Sequence, residues 1–161
     1  GESGCGKSTV ASLIMGLQRG YMGSVRVGGK EVSALCEDSR MKQMTIMSIG
    51  SYIFKGTIRE NLEMGRKGAI YIFDEATSNI DAESENDIMA VLQTLAQHKN
   101  VILISHRLAN VVPSDRIYVM DAGQVIEQGT HEELLQTGGQ YARLWKTQAE
   151  LERYDGKEVT A

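Results

Sequence analysis

The sequence is poor in the features that mark several large classes of protein. Its 161 residues contain two cysteines, Cys5 and Cys36, which are too few for a disulfide framework. No apolar run approaches the roughly 18 residues that cross a bilayer, and no basic-then-apolar segment opens the chain. The net charge is −4 and the basic residues are scattered, which disfavours a nucleic-acid partner. Any membrane attachment is therefore expected to come through a partner.

What is present is typical of one compact domain. Hydrophobic residues make up 42% of the chain and charged residues 24%, which is the ordinary balance of a globular protein. A chain of 161 residues can bury one sizeable hydrophobic core. We therefore predict a single domain over residues 1–161.

The first part of the chain alternates between helical and strand patterns. A stripe of Val10, Leu13, Ile14 and Leu17 predicts an amphipathic helix directly after a glycine-rich loop. Residues 24–32 alternate around a Gly-Gly pair, which predicts a β-hairpin. Residues 44–49 are expected to form a buried strand.

A strand, a helix and a second strand follow in the middle of the chain. Residues 69–73 form a short, apolar run that is typical of a buried parallel strand, and residues 101–104 form another such run. Between them, a helix is marked by Ile88, Val91, Leu92 and Leu95. This alternation predicts an α/β fold, with a mainly parallel sheet flanked by helices.

The last part of the chain predicts a peripheral antiparallel β part and helices. Residues 116–120 and 124–128 flank a short turn, which indicates a hairpin. Thr130 with Glu133 predicts a capping box at a helix start. After Gly138-Gly139, apolar residues at positions 141, 144, 145 and 151 predict a terminal helix.

The most specific motif opens the chain. Residues Gly1-Glu2-Ser3-Gly4-Cys5-Gly6-Lys7-Ser8 satisfy the P-loop pattern G-x-x-x-x-G-K-[ST]. Its glycines let successive backbone N–H groups turn toward phosphate oxygens, and the helix N-terminus adds partial positive charge. Lys7 is expected to reach the β- and γ-phosphates, and Ser8 to offer its hydroxyl to Mg²⁺. A flexible Gly/Ser loop is the alternative, but the Lys-Ser pair and the helical stripe that follows disfavour it.

Two carboxylates and a histidine follow the predicted central strands. We expect Asp74 beside the metal ion and Glu75 next to the water that attacks the γ-phosphate. Two acids after a strand also occur by chance, so this interpretation depends on the P-loop. His106 follows the strand predicted over residues 101–104, at the edge where ligands of open α/β sheets bind. By itself, a lone histidine is more often structural.

Five segments, in a fixed order, resemble the ATP-binding domain of ABC transporters. They are GESGCGKST (1–9), FKGTIRENL (54–62), YIFDEATSNID (71–81), ILISHRL (102–108) and DRIYVMDAGQVIEQGTHEEL (115–134). The GTIREN phrase and the closing GGQYARLW resemble exporter-type cassettes more than importer subunits. The resemblance covers nearly the whole chain.

The resemblance implies a P-loop NTPase fold and an ATPase that couples ATP binding and hydrolysis to transmembrane transport. It implies Ser8 and Asp74 as the metal ligands for Mg²⁺, Glu75 as the catalytic base and His106 as the switch that senses the γ-phosphate. Residues 78–81 correspond to the D-loop. The ATP-binding residues implied by the Walker A motif are Gly1, Ser3, Gly4, Cys5, Gly6, Lys7, Ser8 and Thr9.

The resemblance also implies partners and a location. In such proteins a second nucleotide-binding domain, identical or different, encloses two ATP molecules together with the first. Transmembrane domains of the transporter are attached or associated. The domain is accordingly expected at the cytoplasmic face of the cell membrane.

The sequence departs from the family pattern at several places. Only residues 63–68 separate RENL from the strand predicted over residues 69–73, so the helical subdomain and its LSGGQ-like signature are absent. Residues 135–140 superficially resemble that signature, but they follow His106 and are interpreted as an ordinary turn. Ile49 occupies the position of the Q-loop glutamine and cannot coordinate Mg²⁺. The strand that feeds the P-loop is also absent, so the domain is expected to be incomplete.

Three other functions are alternatives to this one. A P-loop GTPase is rejected, because residues 121–124 miss the D-x-x-G spacing and no N-K-x-D motif exists. A P-loop kinase is disfavoured, because residues 76–81 and His106 have no role there. A non-hydrolytic ATP-binding or assembly module stays open, because a cassette without signature and Q-loop glutamine cannot complete a composite site in trans.

Overall fold

A computed structural model describes residues 4–48, 70–75 and 82–158 of the chain. These residues divide between two compact units. One unit comprises Lys7–Ser105, and the other comprises Gly1–Gly6 with His106–Ala161. The motif segments 54–62 and 76–81, the residues Gly1, Ser3 and Ile49, and residues 63–68 lie outside the described residues.

The unit Lys7–Ser105 is an α/β layer. Its sheet has three parallel strands in the order β3-β4-β5, and a separate hairpin pairs β1 with β2. The described elements in chain order are α1 (Lys7–Ile14), β1 (Arg26–Val27), β2 (Lys30–Glu31), a 3₁₀ turn (Val32–Ala34), α2 (Glu37–Gln43), β3 (Met44–Ser48), β4 (Ile70–Asp74), α3 (Ala82–Ala96) and β5 (Asn100–Ile104).

The core of this unit forms where α3 packs on the sheet. β4 is the middle strand, and its side chains Tyr71, Ile72 and Phe73, which alternate between the two faces of the sheet, are all buried. Tyr71 and Phe73 pack with Leu92 of α3. Burying one such side chain stabilises the fold by about 1.5–3 kcal/mol. The strands predicted from the apolar runs are confirmed, with β4 extended by one residue to include Asp74.

The Gly-Gly hairpin is confirmed as β1 and β2. Gly28 and Gly29 connect the strands with φ of 57° and 77°, a left-handed pair that glycine adopts without steric cost. The Glu31 carboxylate holds the base of the hairpin by accepting hydrogen bonds from Ser24 Oγ (2.5 Å) and the Val25 N–H (2.9 Å). The Ser24 hydroxyl, followed by the Val25 N–H, keeps the pKa of Glu31 below its ordinary value of 4.5.

The prediction of a helix after the P-loop is confirmed, but of its apolar stripe only Leu13 and Ile14 are partly buried. α1 ends at Ile14, so Leu17 lies outside it and is 65% exposed, and Val10 is 39% exposed. The buried residue of α1 is Ala11, and the helix contacts β4. A small side chain permits that close approach, which the larger apolar residues would prevent. Gly16 ends the segment with φ of 67°.

The second unit combines an antiparallel hairpin with two helices. Its core contains Ile117, Val119, Leu134 and Tyr141. The predicted hairpin is confirmed, with a bulge between Val119 and Met120. The described elements are a 3₁₀ turn (Leu108–Val111), β6 (Ile117–Asp121), β7 (Gln124–Gly129), α4 (His131–Thr137) and α5 (Gln140–Glu158).

Both helices of this unit have defined starts. Thr130 and Glu133 form the predicted capping box at α4. At α5, the Glu127 carboxylate of β7 accepts hydrogen bonds from the N–H groups of Gln140 and Tyr141, the latter at 3.0 Å. An acidic group at a helix N-terminus accepts hydrogen bonds from the N–H groups that lack a partner within the helix, and its negative charge interacts favourably with the helix dipole. The predicted terminal helix is confirmed, although Leu151 of its stripe is 60% exposed.

The predicted α/β class, with a mainly parallel sheet and a separate antiparallel part, is confirmed in the described residues. Within residues 4–48, 70–75 and 82–158, no helix has the length and apolar character required to cross a bilayer. The prediction that residues 1–161 form a single domain stays a prediction.

Candidate functional site

The carboxyl end of the parallel sheet carries a polar cavity. It has a volume of about 240 Å³ and is lined by Ser8, Ser48, Asp74 and Glu75, all within the unit Lys7–Ser105. One water molecule needs about 10–15 Å³ on the same scale. The cavity therefore has room for a hydrated ion together with phosphate oxygens.

The sheet register explains why these side chains meet. β3 and β4 are parallel with Ser48 opposite Asp74, and β4 and β5 are parallel with Asp74 opposite Ile104. The carboxyl ends of parallel strands lie at one edge, which is where ligands of open α/β sheets bind. α1 brings Ser8 to this edge from its first turn. Of the predicted site residues, Ser8, Asp74 and Glu75 are thus together.

Asp74 carries an unsatisfied buried oxygen. In the part of the chain that the structure describes, Asp74 Oδ1 is buried and has no hydrogen-bond partner. Most buried polar atoms in proteins are paired, and each exception calls for a reason such as an ion. A carboxylate oxygen with a serine hydroxyl in the same cavity is the hard-oxygen donor set that Mg²⁺ prefers.

This donor set is small. Among the described residues no group of three or more His, Cys, Asp or Glu side chains could hold a metal by itself. Mg²⁺ is commonly held by one or two carboxylates, waters and substrate phosphates rather than by an all-protein cage. The residues present therefore fit a magnesium–nucleotide complex better than a free structural ion.

Glu75 has an unusual backbone conformation. Its φ is 52°, in the left-handed region that residues other than glycine rarely adopt. Its N–H donates to the Ile104 carbonyl at 3.0 Å, so the turn is fixed immediately after β4 ends. Such conformations cost about 1–3 kcal/mol and cluster at functional sites. The conformation is consistent with a carboxylate held in place for chemistry.

Of the predicted phosphate loop, the structure describes Gly4, Cys5 and Gly6 ahead of α1. Gly4 and Gly6 have φ of 80° and 101°, and Cys5 between them is buried. The Cys5 carbonyl accepts a hydrogen bond from the Gly123 N–H at 3.1 Å. These residues belong to the second unit, whereas Lys7, Ser8 and Thr9 form the first turn of α1. That first turn contains no acidic residue that would repel a phosphate.

His106 lies just beyond β5. It is exposed and belongs to the second unit, and Ser105, which belongs to the first, separates it from the end of the strand. Its predicted convergence with Asp74 and Glu75 stays a prediction.

Sequence reasoning missed Ser48. The sequence predicts a buried strand over residues 44–49 and assigns Ser48 no role in the site. The structure describes β3 over Met44–Ser48, and Ser48 lines the cavity. The sequence carries a signal for Ser48, because a polar residue near the carboxyl end of an apolar run is also the pattern that predicts the role of Asp74.

Comparison with known proteins gives one consistent result. The family model described as ABC transporter matches residues 1–125. An uncharacterized ABC transporter ATP-binding protein of Haemophilus influenzae is 35% identical over 95% of the chain and 37% of its own length. An ATM1-type heavy metal exporter of Novosphingobium aromaticivorans is 28% identical over 92% of the chain and 34% of its own length.

A solved structure agrees with these relatives. A bacterial Atm1-family ABC exporter with ATP bound is similar with a TM-score of 0.78 and 28% identity. The match covers 92% of the chain and 36% of that protein, and it confirms the P-loop NTPase fold. The chain thus spans little more than a third of the length of the proteins that it matches.

The alignments also bear on the predicted absence of a segment. The Haemophilus alignment runs over 207 positions, whereas 95% of the 161 residues is about 153. About 54 positions of the relative therefore have no counterpart within the matched span. This agrees with the absence of a helical subdomain and signature that the sequence predicts.

Proposed function

Because the chain belongs to the ABC transporter family, we propose that it binds and hydrolyses ATP and couples this turnover to transport across a membrane. The observation that carries the proposal is the cavity that joins Ser8, Asp74 and Glu75 at the carboxyl edge of the sheet. The unpaired Oδ1 of Asp74 supports it, since a cation bound in the cavity would satisfy that atom.

Different residues of the chain are proposed to bind the phosphates and the metal ion. Backbone N–H groups of the loop and Lys7 hold the phosphates, with the remaining Walker A residues from Gly1 to Thr9 contributing by motif. Ser8 and Asp74 hold Mg²⁺, which would neutralise charge on the phosphate oxygens when bound. The buried Oδ1 of Asp74, which has no hydrogen-bond partner among the described residues, would gain an ionic contact with the metal.

Glu75 is the proposed catalytic base. One of its carboxylate oxygens accepts a proton from the attacking water, so that the oxygen of that water bonds to the γ-phosphorus as the bond to the β–γ bridging oxygen breaks. The left-handed turn at Glu75 fixes where its side chain starts, and the hydrogen bond to Ile104 holds that turn. His106 is proposed, on its motif, to sense the γ-phosphate.

The wider assembly is part of the same proposal. We propose a second nucleotide-binding domain and transmembrane domains as partners, and a location at the cytoplasmic face of the membrane. Residues 1–161 are proposed to act as a single ATP-binding domain. A solved relative that is 28% identical is described as an exporter with ATP bound, which supports both the nucleotide and the exporter type.

The test is single-turnover ATP hydrolysis by the chain and by its Glu75→Gln variant. We expect hydrolysis by the unchanged chain, and its loss with retained ATP binding in the variant. Glu150→Gln, at an exposed position of α5, is the matched control and is expected to leave both unchanged. Binding without hydrolysis in the unchanged chain would instead establish the non-hydrolytic module, which family membership does not favour.

A further inference from the structure

Ser48 is the one lining residue of the cavity that the proposed function does not use. It is the last residue of β3 and lies in register with Asp74 on the neighbouring strand. Residues in register on adjacent parallel strands project from the same face of a sheet, and the strands lie about 4.8 Å apart. Ser48 and Asp74 thus approach the cavity from the same side and from neighbouring backbones.

The chemistry of Ser48 differs from that of Asp74. A serine hydroxyl is neutral, so it cannot compensate the charge of a cation, but it both donates and accepts hydrogen bonds. Mg²⁺ gives up its water ligands reluctantly and usually keeps several of them. With the carboxylate of Asp74 taking the cation directly, a hydroxyl on the adjacent strand is suited to a water molecule in the cation's shell.

Among its described residues, β3 brings one polar side chain to the cavity. Of the β3 residues that the structure describes, Met44–Ser48, Ser48 is the one that lines the cavity.

We propose that Ser48 is a positioning residue of the cation site, whose hydroxyl accepts a hydrogen bond from a water ligand of the bound Mg²⁺. The inference rests on the proposed function, because it presupposes a metal–nucleotide complex in the cavity. It assigns to β3 a part in holding the metal that the Walker motifs do not provide.

The experiment measures metal affinity rather than turnover. Mn²⁺ replaces Mg²⁺, and its binding to the full chain is followed by electron paramagnetic resonance at a saturating concentration of a non-hydrolysable ATP analogue. Ser48→Ala is expected to weaken Mn²⁺ binding about fivefold, the size of one hydrogen bond. Ser48→Thr keeps the hydroxyl and is expected to stay close to the unchanged chain. Binding of the analogue in excess chelator is expected to be the same for all variants.

Thr45→Ala is the matched control on the same strand. Thr45 is half-buried, pairs with Tyr71 and does not line the cavity, so its loss tests damage to β3 alone. Equal Mn²⁺ affinity for Ser48→Ala and the unchanged chain would overturn the inference. So would an equal weakening in Thr45→Ala, or in Ser48→Thr. If the unchanged chain binds the analogue neither with nor without Mn²⁺, the proposed function itself is wrong and the inference ends with it.

Discussion

Asp74→Asn should make the empty protein more stable and the liganded protein less so. Asp74 Oδ1 is buried without a hydrogen-bond partner in the described part of the chain. An unsatisfied buried polar atom costs about 1–3 kcal/mol, and more when the group is charged. Asparagine removes the charge while keeping the shape, so we expect a gain of about 1 kcal/mol without metal or nucleotide. For a chain of this size that corresponds to roughly 2–4 °C in Tm.

Binding of the metal–nucleotide complex is expected to reverse the order of stability of the two proteins. A complex that binds only the folded state at a hundred times its Kd stabilises that state by about 2.7 kcal/mol. The unchanged chain is expected to gain this amount from Mg²⁺ with a non-hydrolysable ATP analogue, whereas the variant loses its metal ligand and gains little. The unchanged chain then becomes the more stable of the two by about 1–2 kcal/mol.

Urea unfolding, followed in chelator and again with the metal–nucleotide complex, measures both differences. Asp121→Asn is the matched control, because Asp121 also ends a strand but is exposed. That control is expected to change stability by less than about 0.5 kcal/mol in either condition. The reasoning is refuted if Asp74→Asn destabilises the empty protein, or if the complex stabilises both proteins equally.

Two further predictions concern the unit Lys7–Ser105. Gly20→Ala should lower the free energy of unfolding by about 1–2 kcal/mol, because alanine is strained at the left-handed φ of this residue. A methyl group there meets nothing within 4 Å, so no steric clash adds to this loss. Gly16→Ala adds a contact at 2.9 Å with the buried Val32, so it should cost about 1–3 kcal/mol more in urea unfolding; equal losses would contradict this. For Glu31, whose pKa is lowered in the folded state, the stabilisation is present above its ordinary value of 4.5 and is lost as pH falls through the folded pKa. Denaturation midpoints of Glu31→Gln should therefore differ from those of the unchanged chain at neutral pH and converge in acid, and a difference that persists at low pH would contradict the assignment.

The sequence predicted the elements whose signals are local. The apolar run over residues 69–73 predicts a strand, and Asp74 and Glu75 follow it directly. In a parallel sheet both acids therefore lie at the carboxyl edge. The Gly28-Gly29 turn and the capping box at Thr130 are likewise determined by a few adjacent residues. The turn and the capping box are confirmed because they need only adjacent residues. The strand is confirmed because its own apolar run marks it, although it pairs with the distant strands β3 and β5.

What the sequence could not predict depends on distant partners. Which face of α1 is buried is decided by the space beside β4, and that space selects Ala11 over larger neighbours. The short helix α2 has no buried residue, so it lacks the apolar stripe that would have marked it. The cap that Glu127 provides for α5 joins residues 13 and 14 positions apart and follows no sequence pattern.

That cap has a consequence for the order in which the chain is made. The first N–H groups of the terminal helix find their acceptors on β7, so its opening turn is capped only once the hairpin exists. Synthesis proceeds from the N-terminus, and the strand leaves the ribosome ahead of the helix that it will cap. A circular permutant that reversed this sequence of events would release the helix with its opening turn bonded only to solvent until its strand arrived.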